Sequence, residues 1–356
     1  MTKALIVGAG IAGAATAIAL RRVGIDSVVY ERHPVGGGDG GAFLTVMSNG
    51  MAALRSIDVQ RPVVENSFPA RSVEIFNAAG EHLDHRFIAA DDDGPRTLAR
   101  ARLCQVLQAE AVARGVRIEH GKRLVAGELL PGGGVGVSFA DGSRAEGDLL
   151  VGADGIRSVT RGLIDPSAPR PRYTGHSVVY GYAPAAPAAT SPDAYHMIFG
   201  TQAFFGYTTP PDGRTWWFAR LPGIESDAAE RMTVTVSEWK RRVQQAFLDD
   251  RVPVDAIVEA TGDDVVGGDS YDIPTTRRWH NGSMVVVGDA AHAASPAAAQ
   301  GASMALEDAV ALATCLRDTH DVAEAFTVFE ASRREPAEAT VAASADMSRR
   351  RRPGTS

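Results

Sequence analysis

Short apolar runs and one helical pattern alternate through the first thirty residues of the chain. Residues 5–7 and 27–30 are short apolar runs, and residues 11–23 repeat apolar positions with a helical period. Short apolar runs beside glycine indicate buried strands, and the longer periodic run indicates a helix. The order predicts a strand–helix–strand unit of about 30 residues, as in doubly wound α/β domains.

A second kind of pattern begins near residue 173 and continues to about 275. Aromatic residues cluster there in short runs, which Pro-Asp-Gly and glycine turns separate. Aromatic runs between turns favour an antiparallel sheet. Residues 238–248 have a helical pattern, and we expect this helix to cover part of the sheet. Residues 283–287 then return to a buried strand, and two alanine-rich helices follow.

The order of these patterns predicts an α/β fold in which one domain interrupts another. A Rossmann-like nucleotide-binding domain takes residues 1–172 and resumes at 276–345, and an antiparallel β-sheet domain takes 173–275. Within the first segment, the hairpin in residues 71–97 is expected to join the inserted sheet. Residues 346–356 are expected to form a tail.

The chain length agrees with this organisation, and the net charge limits the classes of partner that the protein can bind. The chain has 356 residues, of which 45% are hydrophobic, and this length fits about two domains. The net charge of −7 offers no basic face, which disfavours nucleic acid as a partner.

Cysteine content and hydropathy bear on location. The two cysteines, Cys104 and Cys315, form no C-x-x-C motif, and so small a number is typical of a cytoplasmic protein. The long apolar stretch 284–316 is interrupted by charged residues such as Asp289 and Glu307, so we expect no membrane helix.

A glycine-rich motif follows the first predicted strand and opens the first helix. Residues 8–13 read Gly-Ala-Gly-Ile-Ala-Gly, the G-x-G-x-x-G pattern. Gly8 permits the tight turn, Gly10 lets the backbone approach a pyrophosphate, and Gly13 lets helix and strand pack closely. Glu31 ends the next strand, where a carboxylate accepts hydrogen bonds from ribose hydroxyls. This combination predicts dinucleotide binding.

Two further motifs place an acid directly after a predicted buried strand. Asp154-Gly155 follows the strand at 148–151, and Gly288-Asp289 follows the strand at 283–287. Ligand contacts in α/β folds gather at the carboxyl ends of strands. A structural alternative for Asp154 is that it caps the following helix.

Together the three motifs resemble the single-component FAD-dependent monooxygenases, the para-hydroxybenzoate hydroxylase-like family, from Lys3 to about Ala343. The resemblance implies that FAD binds the first motif and Glu31, and that Asp289 holds the ribityl hydroxyls. It implies that the Asp-Gly motif touches FAD and is linked to nicotinamide binding, and that Arg100 pairs with a phosphate. The implied cofactor contacts are Gly8, Gly10, Ile11, Ala12, Gly13, Glu31, Arg32, Thr45, Arg100, Leu124, Asp154, Gly155, Gly288, Asp289, Pro296, Gln300, Gly301 and Ala302.

The chain departs from the family at the turn beside the flavin ring. The family often has Pro-x-x-Gly-Gln-Gly, whereas residues 296–301 read Pro-Ala-Ala-Ala-Gln-Gly, so Ala299 replaces one glycine. The helix beginning near Gly301 is still expected to aim its positive N-terminal end at the flavin. The resemblance also implies that the glycine-rich loop 36–41 gives the flavin room to move.

The resemblance further implies the reaction. NAD(P)H reduces FAD, and oxygen forms a flavin C4a-hydroperoxide that hydroxylates or epoxidises an aromatic or polycyclic small molecule. The cofactor carries this chemistry, and the sequence indicates no nucleophile, no catalytic triad and no metal site. His292 is expected to be structural. Two alternatives are an FAD-dependent reductase or epoxidase acting on an isoprenoid-type substrate, and a non-catalytic FAD-binding redox protein.

The substrate pocket is expected between the aromatic sheet and the flavin. Five residues of the sheet are candidates for its lining: Tyr182, His196, Phe205, Tyr207 and Trp217. Core packing is the alternative for each, because successive side chains of a strand point to opposite faces.

Overall fold

The computed structural model describes residues 2–34, 42–89, 94–184, 193–227 and 233–349. Its strands are β1 (Lys3–Val7), β2 (Asp26–Glu31), β3 (Phe43–Val46), β4 (Phe68–Pro69), β5 (Ser72–Asn77), β6 (His82–Phe87), β7 (Arg96–Ala99), β8 (Arg117–His120), β9 (Leu124–Leu129), β10 (Val135–Phe139), β11 (Arg144–Gly147), β12 (Leu149–Gly152), β13 (Arg172–Ala183), β14 (Ala194–Phe199), β15 (Phe204–Thr208), β16 (Thr215–Pro222), β17 (Val265–Asp272), β18 (His280–Asn281) and β19 (Met284–Val286). Its α-helices are α1 (Ile11–Arg22), α2 (Ser48–Ser56), α3 (Gln60–Glu65), α4 (Arg100–Ala113), α5 (Val159–Ile164), α6 (Val236–Ala246), α7 (Val254–Ala260), α8 (Asp289–His292), α9 (Gly301–Asp318) and α10 (Val322–Arg349).

A six-stranded sheet forms the centre of the nucleotide-binding domain. Its order is β18-β19-β12-β1-β2-β8, and every neighbouring pair is parallel except β18 with β19. The inner strands β1, β12 and β19 are buried apolar runs, and α1 packs against β1 and β2 with α9 packed on α1. The parallel order brings the carboxyl ends of β1, β12 and β19 to one edge, where each of the three predicted motifs begins.

The inserted domain is a seven-stranded sheet in the order β17-β13-β16-β15-β14-β5-β6. The hairpin β5–β6 comes from the first segment of the chain and lies in this sheet, where β5 pairs in parallel with β14. The outer face of the sheet packs against α6 and α7, and Trp217, Phe205 and Trp239 lie at the centre of that layer. The inner face packs against β3 and β4 through Phe43 and Phe68.

The predicted fold class is confirmed: a Rossmann-like domain is interrupted by an antiparallel sheet. The last helix continues to Arg349, into the segment expected to be a tail. The loop predicted at 36–41 lies outside the described residues. Within the described ranges, none of the helices combines the length and apolar content that a bilayer crossing requires.

Candidate functional site

The glycine-rich turn after β1 is built from two glycines that the fold itself requires. Gly8 has φ +101°, and a Cβ built there would lie 2.4 Å from the carbonyl oxygen of Ala153. A Cβ on Gly13 would lie 1.8 Å from the carbonyl oxygen of Gly8. The turn therefore packs against the strand end that carries the second motif, and only glycine fits at these two positions.

Gly10 is different, because no neighbour in the described part of the chain explains its missing side chain. It precedes α1 with φ −70°, which suits any residue, and a built Cβ would have no atom within 4 Å. The open space lies at the N-terminus of α1, where free N–H groups and the helix dipole favour a phosphate. This arrangement fits a dinucleotide, which approaches the backbone closely at the second glycine.

Glu31 lies beside the same turn. Its carboxylate accepts hydrogen bonds from the N–H of Ala9 (2.8 Å) and of His33 (2.9 Å). Both contacts fix the acid at the end of β2, and a carboxylate oxygen has a further lone pair for a ribose hydroxyl. A contact that the sequence did not predict supports the turn from the other side, because the Gln108 amide donates to the carbonyl of Ala9 (2.6 Å).

The side chain of Asp154 is used as a helix cap. Its carboxylate accepts hydrogen bonds from the N–H of Val159 (2.8 Å) and of Thr160 (3.0 Å), at the start of α5. These contacts match the capping alternative, in which the carboxylate satisfies free donors of the helix. Gly155 follows with φ +76° and open space around its Cα, so the backbone of this turn is the part that can approach a cofactor.

The third motif lies directly against the first. Gly288 has φ +58°, and a Cβ built on it would lie 2.9 Å from the Cβ of Ala12. Asp289 follows at the start of α8 and makes no side-chain hydrogen bond or ion pair within the described ranges. Its side chain is exposed, yet the surrounding protein desolvates it and raises the pKa of its carboxyl. A recessed carboxylate that solvent still reaches has both properties and fits hydroxyl donors of a ribityl chain. We call the recess at this sheet edge, beside the three turns, the cleft.

A buried charged cluster that the sequence did not predict holds this turn in place. Asp308 on α9 accepts hydrogen bonds from the N–H of Gly288 (2.8 Å) and from Nε2 of His292 (2.6 Å). Arg333 on α10 donates to its other oxygen (2.8 Å). Burial alone lowers the pKa of His292, but the charge and hydrogen bond of Asp308 raise it above the ordinary value. His292 is therefore part of the buried cluster that positions this turn.

A buried arginine connects the second and third motifs. The guanidinium of Arg161 donates to the carbonyl oxygens of Ala290 (2.9 Å) and Ile156 (2.8 Å). In the sequence, Arg157 and Arg161 follow the Asp-Gly motif one helical turn apart, which is the signal that could have found this contact. The bridge fixes α5 relative to α8, so the two turns keep a constant separation.

The turn before α9 has an alanine in the position where the family often has glycine. Ala299 has φ +52° and ψ 28°, the left-handed conformation that glycine adopts most easily. Gln300 precedes α9 and accepts a hydrogen bond from the amide of Asn49 (3.2 Å). Gly301 opens the helix with free space around its Cα. The 18-residue helix therefore still presents its N-terminus to the cleft.

Arg100 links the cleft to the aromatic sheet. It is exposed at the start of α4, and its charge acts on both Asp289 and Tyr180. Thr45 is turned toward the inserted sheet instead, since its hydroxyl contacts those of Thr97 and Tyr195.

Three further predicted cofactor contacts lie in different surroundings and stay predictions. Leu124 is buried in the core at the start of β9. Arg32 is exposed beside His33. Ala302 is half-buried in the first turn of α9.

Four of the five pocket candidates lie on the outer face of the inserted sheet, which corrects the expectation for them. The four are His196, Phe205, Tyr207 and Trp217, all at most 6% exposed. Alternation along the strands turns them toward α6 and α7, where they form the helix-covered core. Only Tyr182 lies on the inner face, where it contacts Phe43 and Trp216.

The inner face is an aromatic wall toward the nucleotide-binding domain. Phe43 of β3 lies at its centre, with ring distances of 5.5–6.5 Å to the residues around it. These neighbours are Tyr180, Tyr182, Tyr195, Trp216 and Phe218. Of the residues that sequence reasoning missed here, Tyr195, Trp216 and Phe218 each lie one position from a predicted residue.

Comparisons with known proteins agree with this geometry. Aurachin C monooxygenase/isomerase of Stigmatella aurantiaca is 32% identical over 96% of this chain and 87% of that protein. FAD-dependent urate hydroxylase of Klebsiella pneumoniae is 29% identical over 93% of this chain and 85% of that protein. Zeaxanthin epoxidase of Solanum lycopersicum is 31% identical over 87% of this chain, which spans 47% of that longer protein.

Solved structures show the same fold with the cofactor in place. HpxO of Klebsiella pneumoniae in complex with FAD and uric acid has a TM-score of 0.86 and 27% identity, over 98% of this chain and 88% of that one. A variant of HpxO complexed with FAD has a TM-score of 0.88 and 26% identity, over 98% and 90%. The family described as FAD binding domain matches residues 1–344. With three backbone turns at one sheet edge and this match over nearly its whole length, the chain belongs to that family of FAD-binding proteins.

Proposed function

We propose that the chain is an FAD-dependent monooxygenase that uses NAD(P)H and O2 to hydroxylate or epoxidise a flat aromatic or polycyclic molecule. The observation that carries the proposal is the arrangement of the cleft. Cofactor-binding turns lie on one side, and the inner aromatic face of the inserted sheet lies on the other. The relatives with known names include a urate hydroxylase, an epoxidase and an aminohydroxybenzoate monooxygenase.

The residues of the chain have separate tasks in this proposal. Glu31 and the backbone at Gly10 hold the dinucleotide, and Asp289 accepts hydrogen bonds from hydroxyls of the cofactor. The N-terminus of α9 would favour negative charge on a bound flavin. When bound, FAD would accept a hydride from the nicotinamide and would activate oxygen.

The aromatic face positions the substrate and excludes water. Tyr182 stays a proposed pocket residue, and Tyr180 and Phe218 join it because they share its face. Burial raises the pKa of Tyr180 to about 12, so its hydroxyl stays protonated and available as a donor. A cytoplasmic location is also part of the proposal, and both cysteines are free thiols, as a reducing compartment requires.

Anaerobic mixing of the purified holoprotein with NADH and with NADPH tests the proposal. We expect one of them to abolish the visible flavin absorbance, and air to restore it with hydroxylated product or peroxide. If neither nicotinamide reduces the flavin, the protein is not a monooxygenase of this kind. A reductase would transfer the electrons to an unsaturated substrate without consuming oxygen, and a non-catalytic flavoprotein would do neither.

The assignment of Asp289 has its own test. We expect Asp289→Asn to purify folded but colourless, because an amide is a weaker acceptor for the ribityl hydroxyls than a carboxylate. Asp318→Asn on the exposed end of α9 is the matched control and should keep its FAD. An Asp289→Asn protein with a full complement of FAD would show that this acid is not part of the site.

A further inference from the structure

Arg220 is a cation on the inner face of the inserted sheet. It follows Trp216 and Phe218 at alternate positions of β16, so its side chain leaves the sheet on the same side as theirs. The neighbouring strands place Val178 and Phe204 opposite it. Its guanidinium lies over the ring of Phe204, 5.0 Å from the centroid.

Nothing in the described part of the chain neutralises this charge. Arg220 has neither an ion pair nor a side-chain hydrogen bond there, and burial lowers the pKa of its guanidinium to about 10. Two other arginines, at the starts of β16 and β13, are paired: Arg214 with Asp212 and Arg172 with Asp272. A desolvated charge is costly unless a partner compensates it. Arg220 is therefore prepared for a negative partner that the chain does not supply.

The surroundings of Arg220 are flat and uncharged. A Cβ on Gly206 would lie 2.5 Å from the ring of Phe218 and 2.9 Å from the sulfur of Met197, so both side chains lie directly over this glycine. Burial and the charge of Arg220 lower the pKa of His176, which keeps that imidazole neutral. A planar molecule resting on Phe218 would have Arg220 at its edge, with no competing acid among the described residues.

We propose that Arg220 determines specificity by binding an anionic oxygen of the substrate, a carboxylate or an ionised enol or phenol, on an aromatic ring that rests on Phe218. The inference rests on the proposed function, because it takes the inner face of the sheet as the substrate side. The phosphates of FAD belong at Gly10, on the other domain. A phosphate of the nicotinamide dinucleotide is a second source of negative charge, and the test separates the two.

The test compares two probes of one shape, 2-naphthoate and 2-naphthamide, by titrating the visible flavin absorbance of the holoprotein. A charged hydrogen bond contributes about 1.5–3 kcal/mol, so we expect the acid to bind about tenfold more tightly or better. Arg220→Gln should remove this preference and leave the affinity for the amide unchanged. Arg214→Gln, which removes a paired arginine from the same strand region, should keep the preference.

A second variant distinguishes loss of the Arg220 charge from misfolding of the protein. Arg220→Met keeps the apolar stem and removes the charge, so the substrate-free protein should melt about 2 °C higher while losing the preference for the acid. Equal affinity for both probes, no binding of either, or a preference that survives in Arg220→Gln each overturns the proposal.

Flavin reduction in the same preparations, without probe, separates this inference from the proposed function. The dependence of the reduction rate on NADH and NADPH should be unchanged in Arg220→Gln. A change confined to the nicotinamide dependence would assign Arg220 to the dinucleotide and overturn its role in substrate binding. Absence of reduction in every variant would contradict the monooxygenase, whereas the choice between acid and amide reports on Arg220 alone.

Discussion

Gly10 and Gly13 lie three positions apart, but a methyl group would meet different surroundings at each. At Gly10 no atom of the described residues lies within 4 Å of a built Cβ, so Gly10→Ala should change the free energy of unfolding of the apoprotein by less than about 1 kcal/mol. It should nevertheless abolish FAD binding, because the methyl group takes the space that the pyrophosphate needs. Urea unfolding and the flavin content of purified protein measure the two effects.

Gly13→Ala is the matched comparison within the same turn. Its methyl group would lie 1.8 Å from the carbonyl oxygen of Gly8, so the helix must move and the apoprotein itself should lose several kcal/mol, about 3 or more. Bound FAD in Gly10→Ala, or wild-type stability in Gly13→Ala, would contradict this division of roles.

The buried cluster around Asp308 predicts a dependence of stability on pH. The pKa of Asp308 falls to about 2, so its contribution is present above its ordinary value of 3.8 and is lost as the pH falls toward 2. The pKa of His292 is raised above 6.5, so its contribution is present below 6.5 and is lost as the pH rises through the folded-state pKa. We expect the free energy of unfolding to fall on both sides of this window.

Asp308→Asn should remove both parts of that dependence, because position 308 no longer titrates and no longer raises the pKa of His292. It leaves His292 and Arg333 without their buried partner, and we expect a loss of about 3–5 kcal/mol at neutral pH by urea unfolding. Asp318→Asn on the same helix breaks an exposed pair and should cost less than about 1 kcal/mol. Equal effects of the two substitutions would show that the buried cluster does not stabilise the fold.

At the scale of elements, three hydroxyls join β14 of the inserted sheet to β3 and β7. The hydroxyl of Tyr195 lies 2.9 Å from those of Thr45 and Thr97, all of them buried. Tyr195→Phe should lower the free energy of unfolding by about 1–2 kcal/mol, because it leaves buried hydroxyls short of a partner. Tyr271→Phe removes an exposed hydroxyl that bonds Glu225 and should change it by less than about 0.5 kcal/mol. A loss no larger than the control's would show that the hydroxyls do not couple the sheets.

The elements also show what a single sequence can predict. The strand–helix–strand unit and its glycine pattern were predicted because each position has one physical requirement, such as close packing at Gly13. Which side chains of β16 point toward the nucleotide-binding domain could not be predicted. The strand reads Thr-Trp-Trp-Phe-Ala-Arg-Leu-Pro and has large apolar side chains on both faces. A shift of one residue in the assumed alternation exchanges the two faces, and so decides whether Trp217 or Trp216 is predicted on the inner face.

The charged cluster was hidden from the sequence for a different reason. His292, Asp308 and Arg333 lie on three different helices, so no local spacing relates them. Only the packing of α9 against α10 and against the third motif brings them together.

At the scale of the whole molecule, the inserted sheet is tied to the nucleotide-binding domain at several places. Strand β13 begins where β17 ends, and there Arg172 pairs with Asp272. The hairpin β5–β6 enters the sheet from the first segment, and Phe43 packs into its inner face. Neither domain can then unfold without exposing apolar surface of the other.

We therefore expect the holoprotein to unfold in one cooperative transition. Of the four tryptophans, three (Trp216, Trp217 and Trp239) lie in the inserted domain, so tryptophan fluorescence reports mainly on that sheet. Release of flavin fluorescence reports on the nucleotide-binding domain. The two urea midpoints should coincide in the wild type. Tyr195→Phe should shift both midpoints together, because it weakens the contact between the sheets without breaking either one. Midpoints that differ in the wild type would show that the two domains unfold separately and that the shared core is too weak to couple them.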